Sequence, residues 1–464
     1  MKHLFLTTLF AFAFSLSSMA GGRSFSDEAK NNCQLLNDAG DSVTIIFCAD
    51  AQHFNLDLAA IKTVYTYGSI TAWDKDVESF RLTEQSDDDC LYRTFALSDL
   101  QKRGNSGQPE FLFQVTPTSG SAYTLKASSS TMDSRLLFIN NGENMLLLFP
   151  GDDIAEIGRR GDTAKTIAPL SNFQPLTDSA NIAHLTNFRR VPTTACLYRS
   201  YHPYNPDRAK YSTEYRRMSQ LAQLGATYNI QSDIALSGDQ TSKAGTTYTC
   251  AGMTRTITIP DYYQAIIRNS NVLYVGTENG ITPDYNTAVF RTNDTMFGQW
   301  MQEVVRFINA HPAPFQIHCS LGADRTGAFC ATLAALCGAS WAQIADDYHQ
   351  TSNLMIQEYR HPNCVRYELY LLTGEWPEVF APTSPESGLT LQQAVAKHFI
   401  EGGYLTQDEI DACVEKLTTP VPPTSLQETN ADHPDHLATK RLHNGQVYIS
   451  HNSHTYAISG KEIE

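Results

Sequence analysis

The chain has no Cys-x-x-Cys pair, no excess of positive charge and, beyond its first twenty residues, no long apolar run. Each absence removes a class of protein. Ten cysteines spread over 464 residues, without tight spacing, do not make a disulfide scaffold. Their pairings do not follow from spacing; Cys33 with Cys48 is the pair nearest in sequence in the N-terminal region, but geometry alone decides such bridges. A formal net charge of -15 argues against a general binder of nucleic acid or acidic membrane, which needs a basic face. No later segment approaches the roughly 20 apolar residues of a membrane helix, so no integral membrane segment is expected.

The start of the chain reads as an export signal over residues 1–20. Basic Met1-Lys2-His3 leads an apolar stretch from Leu4 to Leu16, and Ser18-Met19-Ala20 supplies the small residues read at a cleavage site after Ala20. The expected location is secreted or periplasmic. Residues 21–160 read as short strands: Val43 to Phe47, Val64 to Ile70, Leu91 to Leu97, Phe111 to Val115, Leu136 to Ile139 and Met145 to Phe149, with turns at Asn141-Gly142 and Pro150-Gly151. That pattern predicts an all-β, immunoglobulin-like sandwich. Trp73 and Tyr92 are read either as core aromatics or as a platform for carbohydrate.

Over 181–417 the pattern changes to strands alternating with helical periods, which predicts an α/β domain with a central, mostly parallel sheet flanked by helices. Met218 to Leu224 reads as helix and Tyr228 to Ile230 as strand. Phe297 to Ile308, Thr326 to Leu336, Leu391 to Phe399 and Gln407 to Leu417 read as helices, and Phe315 to His318 as a buried strand. Residues 418–437 read as a Pro- and Thr-rich linker, and 438–464 as a small β hairpin unit. Its His443, His451 and His454 lack a carboxylate or thiol at ligand spacing and are read as solvated surface, with no metal site.

The informative residues are His318-Cys319-Ser320-Leu321-Gly322-Ala323-Asp324-Arg325-Thr326-Gly327, placed between a strand and a helix. Phosphoryl transfer asks a protein mainly for positioning and charge neutralisation, and a loop of backbone N–H groups at a helix N-terminus supplies both. The amides from Ser320 to Thr326 are the expected phosphate cradle. Gly322 lets the loop curl, Gly327 lets the helix start close to it, and His318 orders the loop. Cys319 is the expected nucleophile, ionised below the ordinary thiol range, and Arg325 the fork that grips two phosphate oxygens. Thr326 donates its hydroxyl to the sulfur. A bare Cys-x5-Arg spacing arises by chance in roughly one such chain in two, whereas adding the His, the Gly and the hydroxyl lowers this to about one in ten thousand.

The loop is similar to that of the Cys-x5-Arg phosphatases, and its Asp324-Arg325-Thr326-Gly327 ending resembles the atypical bacterial secreted tyrosine and phosphoinositide phosphatases. Asn187-Phe188-Arg189-Arg190 resembles that family's Asn-Phe-Arg-Asp, Leu197-Tyr198-Arg199-Ser200 its Leu-Tyr-Arg-Ser, and Asp347-Tyr348 with Thr351-Ser352-Asn353 its Asp-Tyr-x-x-Ser-Asn helix. Leu389 to Leu417 resembles its closing helical pair. Ala323 replaces the family's loop lysine, Arg190 replaces an acidic residue, and Tyr228 to Ser232 lacks the Asp-Leu-Arg expected there.

Two aspartates are candidates for the general acid. Asp324 lies in the loop, and similar loops assign the role to that place; Asp284, in Thr282-Pro283-Asp284, resembles the mobile Trp-Pro-Asp loop of other tyrosine phosphatases. The expected activity is a two-step phosphomonoester hydrolysis through a cysteinyl phosphate, with no cofactor. The expected substrate is a phosphotyrosine protein. Alternatives are an inositol polyphosphate or phosphoinositide and, from another class, an inactive phosphatase-like protein that binds a surface or carbohydrate. Arg189, Arg190, Arg199, Arg208, Lys210, Arg216 and Arg217 either line the mouth of the site or form a solvated basic face.

Overall fold

The computed structural model describes residues 23–50, 54–104, 107–125, 138–139, 144–153, 157, 170–250, 253–278, 280–354, 360–380, 388–421, 439–443, 446–451 and 454–457. The export signal expected over 1–20 and most of the linker expected over 418–437 lie outside them.

Runs of β-branched and aromatic residues build nine N-terminal strands among the described residues. They are β1 (Gln34–Leu36), β2 (Ser42–Cys48), β3 (Ile61–Gly68), β4 (Glu84–Gln85), β5 (Cys90–Ala96), β6 (Glu110–Pro117), β7 (Tyr123–Leu125), β8 (Phe138–Ile139) and β9 (Asn144–Leu146). Two antiparallel sheets result, β1-β2-β5-β4 and β3-β6-β9-β8, with β7 beside β6. Alternate residues of β2 (Val43, Ile45, Phe47) meet Val64, Phe111, Phe113 and Val115 of the other sheet in one core.

The disulfide does not join the pair nearest in sequence. Cys48 and Cys90 are cross-strand partners in β2 and β5, with Cα atoms 4.2 Å apart, and they are bonded. Cys33 is a buried free thiol that packs with Val43, Ile45 and Phe47 on one face of β2, while Cys48 packs on the other with Ile46 and Tyr92. Their opposite facing keeps Cys33 and Cys48 apart.

The second region holds β10 (Arg189–Arg190), β11 (Leu197–Ser200), β12 (Ser232–Ala235), a hairpin of β13 (Thr247–Cys250) and β14 (Met253–Thr256), then β15 (Val272–Tyr274) and β16 (Phe315–His318). The sheet order is β10-β11-β16-β12-β15, parallel except for the β10 edge. The strand expected at Tyr228–Ile230 lies instead at β12, because the helix Ser212–Thr227 runs on and Asn229 turns the chain with φ 49°. Helix Thr295–Ala310 starts where Asp294 accepts from the Met296 amide at 2.9 Å, and Gln407–Thr418 starts on a Thr406 and Glu409 capping box. Phe297, Trp300 and Val304 pack with Ile317, Ile234, Phe329 and Leu333 in the main core.

The two regions form one compact unit that ends at Val421. Ala72 is fully buried within the core of the second region, and Trp73 packs against the same cluster. Arg291 pairs with Asp74, and the Asn363 side-chain amide donates to the Gly107 carbonyl at 3.4 Å. Tyr92 is buried as well, and Trp73 is half-buried against this core. The C-terminal unit adds a strand to the expected hairpin: β17 (Thr439–His443), β18 (Gln446–His451) and β19 (His454–Ala457) form an antiparallel sheet.

Candidate active site

β16 lies between β11 and β12, and its last residue, His318, is level with Ser200 and Ala235. The next residues leave the carboxyl ends of the parallel strands, where open α/β sheets form their ligand crevices. The loop from Cys319 to Ala323 then enters the helix Asp324–Leu336. Gly322 has φ 69°, and a Cβ there would lie 2.0 Å from the Ser200 carbonyl oxygen. A Cβ at Gly327 would lie 2.6 Å from the Tyr348 ring. Both glycines are therefore required by close approach. Among the described residues no acceptor takes the amides of Ser320 to Ala323.

The loop is held from behind through its carbonyls. Asn187 donates to the Gly322 oxygen at 2.8 Å, and Arg199 donates to the oxygens of Gly322 at 2.9 Å and Ala323 at 3.2 Å. Asp347 fixes both arginines of this side, accepting from Arg199 at 2.5 Å and from Arg189 at 2.6 Å. Arg189 also donates to the Asp347 carbonyl, Asn187 and Thr351. Burial pulls the Arg189 guanidinium down to about 10, against the opposing pull of Asp347, which leaves it charged at neutral pH. Asp347 feels burial raising its carboxyl, but the two arginines outweigh that and hold it below the ordinary range.

Much of the basic stretch is thus internal. Arg208 and Arg217 are engaged too, both on Glu214, with Arg217 also donating to the Leu185 carbonyl. Arg190, Lys210 and Arg216 are the exposed members.

His318 is fully buried, with Nε2 3.0 Å from Asp233 Oδ2 and Nδ1 3.2 Å from the Cys319 carbonyl oxygen. Burial opposes a charge on this imidazole, but Asp233 prevails and raises its pKa. Tyr263 donates to the same Asp233 oxygen at 3.1 Å. Sequence reasoning missed Asp233. The signal was present, since Asp233-Ile234-Ala235 begins one residue beyond the segment searched for Asp-Leu-Arg, with alanine in place of the arginine.

The Cys319 thiol is 4 % exposed. Burial pushes its pKa up, but Arg325, then the Thr326 hydroxyl and amide, bring it below the ordinary value against a smaller opposing effect of Asp324. Among the described residues the buried Thr326 hydroxyl has no nitrogen or oxygen partner, so its proton is free for the sulfur. Arg325 donates through one nitrogen to the carbonyls of Leu236 and Pro283, each at 3.0 Å.

The two acid candidates are placed differently. Asp324 faces Arg360, with Nε to Oδ1 2.8 Å and Nη2 to Oδ2 3.2 Å; only the second contact has hydrogen-bond alignment, so the pair is an ion pair with one good bond. Arg360 is almost fully buried and was not signalled by the sequence. Asp284 is exposed and caps the helix Tyr285–Phe290, accepting from the Thr287 amide at 2.9 Å. The chain around it reaches the loop through Pro283.

Residues 221–400 match the model of the tyrosine phosphatase family. The chain carries a tyrosine phosphatase family domain. No curated protein matches the chain. The match starts after Asn187, Arg189 and Arg199, yet Asn187 and Arg199 hold the loop of this phosphatase domain, and the strands of Arg189 and Arg199 complete its sheet. Cys330 and Cys337, on or just after the loop's helix, are free thiols that burial pushes up to about 12, so neither is an activated thiol.

Proposed function

We propose that the chain is an exported phosphomonoester hydrolase that acts on phosphotyrosine proteins through Cys319. The observation that carries the reading is a thiol held low by Arg325 and Thr326 at the base of a loop with open amides. Cys319 Sγ attacks phosphorus and the ester P–O bond breaks as Asp324 protonates the leaving oxygen. Water then attacks phosphorus, Asp324 takes its proton, the S–P bond breaks, and orthophosphate leaves. Asp324 is preferred to Asp284 because its charge acts on the Cys319 sulfur, while the Asp284 carboxylate is turned to its helix cap. Arg360 positions Asp324.

Phosphotyrosine is preferred to inositol polyphosphate because Arg189, Arg199, Arg208 and Arg217 are held in internal ion pairs, which removes much of the basic mouth a polyphosphate needs. Export is supported by the basic-apolar-small start of the chain and by the Cys48–Cys90 disulfide, which suits an oxidising compartment.

The test is phosphate release from a phosphotyrosine peptide, a phosphoinositide and inositol hexakisphosphate under reducing conditions. Turnover on the peptide that vanishes in Cys319→Ser is expected; turnover on none of the three defeats the reading. Asp324→Asn should lower kcat by about a hundred- to ten-thousandfold, most for esters with poor leaving groups. If Asp284→Asn shows that dependence instead, the acid is Asp284.

A further inference from the structure

His202 lies two residues beyond Ser200, which is level with His318, so the strand direction carries it to the height of the loop. Its ring centroid is 4.4 Å from that of His318, at an interplanar angle of 55°. Only 2 % of the residue is exposed.

The hydrogen bonds fix its tautomer. Nδ1 accepts from the Tyr204 amide at 2.9 Å, so a neutral ring carries its proton on Nε2. Nε2 is buried and has no partner among the described residues. A buried N–H without an acceptor costs free energy, and native proteins rarely leave one without a reason. The ring stays neutral at working pH: burial, then the charges of His318, Arg325 and Arg208, hold its pKa well below the ordinary value. A neutral donor next to Arg325 is suited to an oxyanion, and it brings no proton that would be lost on binding.

We propose that His202 is a phosphate ligand of this site, its Nε2–H donating to a phosphoryl oxygen seated between Arg325 and the loop amides. This rests on the phosphatase reading and adds a donor to it. The Tyr204 amide holds the ring in place, so the donor is fixed before substrate arrives.

Two substitutions separate ligand from scaffold. Asparagine can keep the acceptor for the Tyr204 amide but has no group at the Nε2 place; glutamine can put an amide N–H at that place. The probe is tungstate, measured by calorimetry on the full chain, with thermal unfolding of the free protein alongside. His202→Asn should bind tungstate about tenfold or more weakly than the native protein, with the free protein unfolding within a few degrees of it, and His202→Gln should recover part of the affinity. The inference is overturned if the native protein binds tungstate and hydrolyses phosphotyrosine while His202→Asn binds as tightly, or if Gln binds more weakly than Asn. A native protein that neither binds tungstate nor releases phosphate overturns this inference together with the phosphatase reading, and so differs from failure of the His202 assignment alone.

Discussion

The two sides of the catalytic loop are built on opposite principles. Behind it, Asn187, Arg189, Arg199 and Asp347 form a network in which the Gly322 and Ala323 carbonyls and both Asp347 oxygens find donors, though Arg199 Nε has no partner among the described residues. In front of it, the Ser320 to Ala323 amides and His202 Nε2 find none among the described residues, and Arg325 rests on two backbone carbonyls. Paired groups on one side fix the loop's shape, and unpaired donors on the other are left for an anion. The contrast implies that the rear network governs stability and the front governs turnover.

The sharpest way to break that contrast is at the rear. Arg199→Met leaves Asp347 buried beside Arg189 alone and strips donors from two loop carbonyls, so it should cost about 3–5 kcal/mol of unfolding free energy in a urea titration. An unfolding midpoint equal to that of the native protein would show that the network is ornamental. At the front, Arg325→Lys keeps the charge and loses the fork. Turnover should fall about a hundred- to a thousandfold with the unfolding curve unchanged. If the curve moves as far as it does for Arg199→Met, the two sides are not separable.

The sequence reveals those parts of this arrangement whose physics is local. The short segment Phe315 to His318 and the three-and-four spacing from Phe297 to Ile308 are strand and helix in the structure, because such local patterns need no distant partner. The Cys319 to Arg325 spacing is local in the same sense. What was not legible depends on register and tertiary pairing. Cys48 meets Cys90 only because β2 and β5 align residue by residue, and Arg360 meets Asp324 across a turn of the fold that no spacing predicts. The basic stretch misled for a related reason: composition shows that arginines cluster, but only packing shows that Asp347 and Glu214 already hold four of them. Asp233 was missed because a lone carboxylate in an apolar strand acquires meaning only when β12 is laid beside β16.

The finest test of the contrast is the pH dependence of the rear network. Two buried arginines depress the Asp347 carboxyl, so the folded state binds a proton there less readily than the unfolded chain does. For a depressed carboxyl the stabilisation is present above the unfolded-state pKa and is lost as pH falls through the folded one, so the native protein should lose stability progressively below about the ordinary value of 3.8. Asp347→Asn removes the titrating group. At neutral pH the variant should be less stable by roughly 2 kcal/mol, since charge-assisted hydrogen bonds become neutral ones, and the two stability curves should converge in acid. Urea midpoints measured from neutrality down to about pH 2 give the outcome. Parallel curves would mean that the acid sensitivity lies elsewhere, and that Asp347 holds its arginines by shape rather than by charge.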